Sequence, residues 1–126
     1  MVVDASALLA IMLREPDGPH FSEQIARAET LRMSVINLFE VMVRMDRIGA
    51  SNDAERALAA LPIIYEPVTF DLAEAARAAH LKFGKGRHPA RLNMGDCFAY
   101  ALATELGEPL LFKGGDFALT DVALAG

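Results

Sequence analysis

Four short apolar runs, separated by segments of helical spacing, constrain this chain more than any other feature. "VV" stands at the start, "TLRMS", "PIIYEPV" and "PLLF" follow, and between them apolar residues recur at three- and four-residue intervals. In "MVVDASALLAIML" the period changes at Asp4, which predicts strand, turn and helix. After the break at Pro16, Asp17, Gly18 and Pro19, the spacing of Phe21, Ile25 and Ala28 predicts a second helix. Residues 34–48 are apolar on nearly every side, the pattern of a mostly buried helix. Asn52 to Glu55 and Asp71 to Glu74 have the polar-x-x-Glu spacing of helix starts and bracket the third strand. Leu72, Ala75, Ala76, Ala79 and Phe83 carry a helix up to the loop "GKGRHPARLN", and a further helix from Met94 stops at Gly107. Strands alternating with helices predict a three-layer α/β/α sandwich around a central parallel sheet of four or five strands, with right-handed crossovers. Ligands of such sheets bind beyond the carboxyl ends of the strands.

The length suits one domain, residues 1–126, and 53% hydrophobic against 23% charged residues argues for a packed core rather than disorder. No apolar run reaches the ~18 residues of a membrane span, and the first ten residues lack a basic leader and cleavage site, so a cytoplasmic protein without membrane attachment is expected. The single cysteine, Cys97, falls in an apolar helix as a core residue, which removes intrachain disulfides and makes redox chemistry a poor reading. The net charge of -5 is unlike a general nucleic-acid binder, so any such binding has to be local.

Four acids share one destination in this layout. Asp4 follows the first strand, Asp116 follows "PLLF", Asp96 stands in the first turn of the helix leading to that strand, and Glu40 lies on the helix after "TLRMS". Converging carboxylates repel and raise each other's pKa unless a cation neutralises them. A hard, oxygen-seeking divalent ion such as Mg²⁺ suits this set, whereas zinc would want His or Cys ligands, and His20, His80 and His88 lack a ligand spacing. Each acid also has a structural reading. Asn93 to Asp96 has capping spacing, Asp4 or Ser6 can cap the first helix, Asp116 follows two glycines in a turn, and Glu40 shares a polar stripe with Asn37, Arg44 and Arg47. The coincidence of all four at one sheet edge favours the metal site over independent caps.

In order and spacing these residues resemble the PIN-domain ribonucleases, specifically the VapC-type toxins of toxin-antitoxin pairs. "VVDASALLAIMLREP" is similar to that family's opening, "SVINLFEV" to its glutamate helix, and "LNMGDCFAYALATELGEPLLFKGGDFALTDV" to its third and fourth acidic motifs. The resemblance implies that Asp4, Glu40, Asp96 and Asp116 form the acidic quartet, with Ser6 supporting Asp4 and Asp121 in a supporting position. It implies Mg²⁺- or Mn²⁺-dependent endonucleolytic cleavage of RNA, leaving 5′-phosphate and 3′-hydroxyl ends. A homodimer and a cognate antitoxin that blocks the acidic site are implied as well. Without the quartet the formal charge would be about -1, so much of the acidity belongs to the candidate metal site. Lys82, Lys85, Arg87 and Arg91 cluster just before Asp96, where they could meet RNA phosphates, although a solvated loop has the same composition.

Rival chemistries leave traces that are missing here. A haloacid-dehalogenase-like phosphoryl-transfer enzyme would usually carry a second aspartate two residues after Asp4, where this chain has Ser6. A receiver domain would use Lys113 but needs paired acids at the first strand, and "GGDF" as a cyclase motif is followed by Ala118 in too short a chain. The alternative of another class is a non-catalytic RNA- or protein-binding module whose acids are caps. Metal dependence separates it from the nuclease.

Overall fold

The computed structural model describes residues 1–125 and has four parallel strands in the order β3-β2-β1-β4. These are β1 (Val2–Val3), β2 (Leu31–Ser34), β3 (Ile63–Glu66) and β4 (Leu110–Leu111). Six α-helices connect and cover them: α1 (Ala5–Met12), α2 (Gly18–Arg27), α3 (Val35–Arg47), α4 (Ser51–Ala59), α5 (Phe70–Phe83) and α6 (Met94–Leu106). Val2 pairs with Arg32 on one side and with Leu110 on the other, so the two-residue β1 lies inside the sheet and the equally short β4 at its end. Residues 123–125 run beside β4, with Leu110 bonded to Ala123 and Ala125, which extends the sheet without a named fifth strand.

Two cores meet across β1 because successive strand side chains point to opposite faces. Val2 and Leu110 pack with Leu72, Ala76 and Phe83 of α5 and with α6. Val3 and Leu111 pack with Leu8, Phe21, Ile25, Met33, Val41 and Leu58, under α1 to α4. Both valines are fully buried, as expected of a parallel strand covered on two faces. Every strand therefore ends at the same edge, and the residues that follow β1, β2 and β4 gather there.

Several local expectations change. The predicted all-round burial of residues 34–48 does not hold: Phe39 of α3 is 67% exposed and Ile48, just past the helix end, is 55% exposed. The core stripe of α3 is Asn37, Val41 and Met45 at i, i+4, i+8, so Asn37 leaves the exposed polar stripe that Glu40, Arg44 and Arg47 suggested. Thr69, not Asp71, caps α5 through a bond from the Leu72 N–H, and Asp71 stands in the first turn, where the helix dipole favours it. The α4 helix begins at Ser51, places Asn52 inside, and has no side-chain cap. Gly18 and Pro19 do not break the chain but open α2, Pro being suited to a first turn whose N–H groups have no helical partner. Cys97 is a free, buried core residue, as read.

Candidate active site

Asp4 caps α1 immediately after β1, with its backbone extended and the residue as a whole 4% exposed. Oδ2 accepts bonds from the Ser6 N–H at 3.1 Å and the Ser6 hydroxyl at 2.6 Å. The Ser6 oxygen in turn accepts the Lys113 N–H at 2.9 Å, which links the ends of β1 and β4. Oδ1 is buried and has no hydrogen-bond partner. Burial drives the Asp4 pKa up to about 6 against the lowering effect of Ser6, and the negative charge of Glu40 adds to the rise.

Glu40 is held from two sides. The Asn37 side-chain amide donates to its Oε2 at 3.0 Å and to the Gly95 carbonyl of α6 at 3.1 Å, which fixes α3 against α6. Gly95 makes the approach possible, because a Cβ at this position would lie 1.7 Å from Glu40 Oε1. Burial and then the charge of Asp96 raise the Glu40 pKa, partly opposed by Asn37.

Asp96 is the reciprocal partner in a complete capping box. Its N–H donates to Asn93 Oδ1 at 2.9 Å, and its Oδ2 accepts the Asn93 N–H at 3.0 Å. Burial again lifts the pKa to about 6, with the charges of Asp4 and Asp116 contributing. Asp116 is exposed on the turn into a short 3-10 segment, Phe117–Leu119. The four acids thus come from four separate stretches of chain, linked through charge: Glu40 acts on Asp4, Asp96 on Glu40, and Asp4 and Asp116 on Asp96. Among the described residues, however, no three His, Cys, Asp or Glu side chains form a ready ligand set. The Glu40 and Asp96 carboxylates are turned toward Asn37 and the Asn93 backbone instead.

The donor set nevertheless fits a hard divalent cation. All the candidate ligands are carboxylate oxygens, and Asp4 Oδ1 is a buried acceptor with nothing bonded to it. Burial of mutually repelling acids is also unfavourable unless positive charge is supplied.

Asp121 lies elsewhere. Its carboxylate accepts bonds from the Tyr100 hydroxyl and from Lys82 Nζ, the latter at 3.3 Å, and it is not among the charges that shift Asp4, Glu40 or Asp96. Tyr100 holds the Asp121 pKa below the usual carboxylate range. Lys82 is thereby separated from Lys85, Arg87 and Arg91, which form no ion pair among the described residues. Lys113, the residue that suggested a receiver domain, pairs its ammonium group with Glu15 and Asp17 and not with the quartet.

The sequence reading overlooked Asn37 and Gly95 as parts of this arrangement. Asn37 could have been found from its spacing with Val41 and Met45, and Gly95 from the general cost of a glycine in a helix, which calls for a packing reason.

The family model for the PIN domain matches residues 1–123. This chain belongs to the PIN domain family. The PIN domain is 44% identical over 128 residues to a Ribonuclease VapC of Mycolicibacterium smegmatis, covering 98% of each chain. It is 43% identical over 128 residues to Ribonuclease VapC30 of Mycobacterium tuberculosis, covering 98% of this chain and 96% of that one. The likeness to VapC-type proteins read from the motifs therefore holds over nearly the whole length. Among solved structures, this PIN domain is similar to Mycobacterium tuberculosis VapC20, a Sarcin-Ricin loop cleaving toxin, with a TM-score of 0.78, 21% identity, and coverage of 97% of this chain and 95% of that one. It is also similar to a toxin-antitoxin complex from Klebsiella pneumoniae, with a TM-score of 0.77, 19% identity, and coverage of 98% and 95%. At those identities the structural likeness carries the fold, and the parallel α/β sandwich is shared.

Proposed function

We propose that this PIN domain is the endoribonuclease toxin of a toxin-antitoxin pair, cleaving RNA phosphodiester bonds at Asp4, Glu40, Asp96 and Asp116 with Mg²⁺ or Mn²⁺. The observation that carries the reading is the grouping of four carboxylates beyond the carboxyl ends of β1, β2 and β4, with Asp4 Oδ1 buried and unbonded. Ribonuclease relatives at 43–44% identity support it. No helix of the described residues is long and apolar enough to cross a membrane, which suits a cytoplasmic target.

A divalent cation held by these carboxylates would lower the pKa of an attacking water and offset charge on the phosphate and leaving oxygen. The chain's own residues set the stage for that chemistry. Ser6 occupies Oδ2 of Asp4 and leaves Oδ1 for the cation. Asn37 aims Glu40 across the space that Gly95 leaves open, and Asn93 fixes the start of the helix that carries Asp96. Burial first, with the neighbouring negative charges second, raises these pKa values to about 6 in the metal-free chain, and a cation would stabilise the ionised forms.

A cognate antitoxin and a homodimer complete the proposal. The toxin-antitoxin complex from Klebsiella pneumoniae and a VapBC2 complex from Rickettsia felis bound to promoter DNA support the first. The binding-module alternative draws on the capping box, which gives Asp96 a structural role of its own. Expression of this chain without its antitoxin, followed by mapping of new RNA 5′ ends, decides between them. Cleavage that disappears on Asp96→Asn and on chelation is expected. RNA binding without cleavage, unaffected by either treatment, would overturn the nuclease reading.

A further inference from the structure

The loop between α5 and α6 is built more firmly than its composition suggests. Its ends are tied by the Lys85 N–H to the Leu92 carbonyl and the Leu92 N–H to the Phe83 carbonyl, both at 3.0 Å. Within it, the Arg87 and His88 N–H groups converge on the Gly84 carbonyl at 3.0 and 3.1 Å, and the Arg91 N–H meets the His88 carbonyl at 3.0 Å. The His88 ring then accepts the Ala90 N–H on Nδ1 at 3.0 Å and packs edge-on against Phe83, with 5.0 Å between ring centroids. Ala90 and Leu92 are fully buried and pin the underside. Gly84 cannot be replaced without a backbone clash, since a Cβ there would lie 2.3 Å from the His80 carbonyl.

Arg91 holds a left-handed backbone, φ 54°. The other such residue, Arg14, follows the end of α1, where left-handed geometry is the ordinary helix stop. Arg91 ends no helix. It is held in this disfavoured conformation at the lip of a hollow of about 530 Å³ lined by Lys85, Gly86, Arg87, His88, Pro89 and Arg91. The three cations around this hollow have no ion-pair partner among the described residues, a state they share with Arg14, Arg44, Arg47, Arg56 and Arg77, but they alone line one hollow together. The bonded backbone keeps the three side chains rooted around one hollow, where an anion can meet all of them.

We infer that residues 84–92 form a phosphate-holding pocket for the RNA strand, in which Lys85, Arg87 and Arg91 bind backbone phosphate and His88 is a positioning residue. The inference rests on the RNA reading above and identifies where the strand is gripped. It also removes Lys82 from the predicted basic group, since Asp121 holds it. Four grouped carboxylates repel a polyanion, and the loop that runs directly into Asn93 and Asp96 supplies positive charge next to them along the chain. An acidic protein partner would have no comparable need of this position.

The test uses the full chain carrying Asp96→Asn, so that binding is read without cleavage, and titrates a single-stranded RNA oligonucleotide over a range of salt concentrations. Single strands lose about 0.7 in log-log salt slope per phosphate contact removed, so Lys85→Ala with Arg87→Ala should reduce the slope by about 1.4. His88→Leu should weaken binding about fivefold, the effect of one lost ordering hydrogen bond. His88→Asn should restore it, because an Asn oxygen also accepts the N–H two residues on. Thermal melting identifies any variant that fails to fold, in which case the exposed Lys85/Arg87 pair decides. An unchanged salt slope overturns the pocket, and so does loss of antitoxin binding with RNA binding intact. A reduced slope, with no cleavage by the chain that keeps Asp96 when assayed with Mg²⁺, would support the pocket and overturn the nuclease reading alone.

Discussion

Gly95→Ala separates the demands of the fold from those of the site. Gly95 has no left-handed φ to require glycine, so the constraint is space: an added Cβ would lie 1.7 Å from Oε1, 2.3 Å from Cδ and 2.6 Å from Oε2 of Glu40. Ordinary contact begins near 3.4 Å, so the carboxylate must retreat by about 1.7 Å. It can do so at little energetic cost, being the far end of a flexible side chain, but it then loses or drags its 3.0 Å bond from Asn37. Alanine is better than glycine in a helix by up to about 1 kcal/mol. The variant is therefore expected to melt at the same temperature or a few degrees higher while its RNA cleavage falls on the order of 10²-fold, as misplacement of a reacting group by an ångström or more can produce. Circular dichroism melts and single-turnover cleavage with Mg²⁺ would read the two effects. Adding Glu40→Asp shortens the acid by one methylene and should recover part of the lost rate, a non-additive signature of direct contact. Full activity in folded Gly95→Ala would refute the claim that Glu40 must stand where it does.

The same reasoning gives two further tests. A raised carboxyl pKa means that the folded, metal-free chain prefers Asp4 protonated, so ionisation destabilises it increasingly as pH rises from 3.8 to about 6, by up to about 3 kcal/mol above that range. Asp4→Asn should thus gain stability relative to the natural chain between pH 4 and pH 7.5 in urea titrations with chelator, and a pH-independent difference would contradict the burial argument. Asn37→Ala removes a fully buried donor of two bonds, to Glu40 and to the Gly95 carbonyl, and should lower stability by about 2 kcal/mol and cleavage more strongly than an exposed polar-to-Ala change on α3. Unaltered stability would mean that those bonds do not brace α3 against α6.

Alternating strand and helix periods made the parallel sheet legible, because each period is a one-dimensional trace of which side faces apolar neighbours. Asp96 was legible for a related reason: its capping spacing from Asn93 survives intact in the structure. Asn37 was not, since polarity alone points outward and only the two bonds it makes across to α6 and Glu40 reverse that inference. Phe39 failed in the opposite sense, as an apolar residue can face solvent at modest cost. The basic loop read as four equivalent cations, and what divides them is a long-range partner, Asp121, thirty-nine residues from Lys82, which no local pattern encodes.

The placement of β1 has a consequence for timing. Its neighbours are β2 and β4, and the latter joins through the Val2 N–H to the Pro109 carbonyl and the Asp4 N–H to the Leu111 carbonyl, across more than a hundred residues. Synthesis proceeds from the N-terminus, and pairings this distant form late. Asp4 is made more than a hundred residues before Lys113, so its supporting bond from Lys113 through Ser6 has to await the emergence of β4 from the ribosome. Between the synthesis of Asp4 and that of β4 the growing chain consequently carries the carboxylates unassembled, close to the RNA of the machine that makes it.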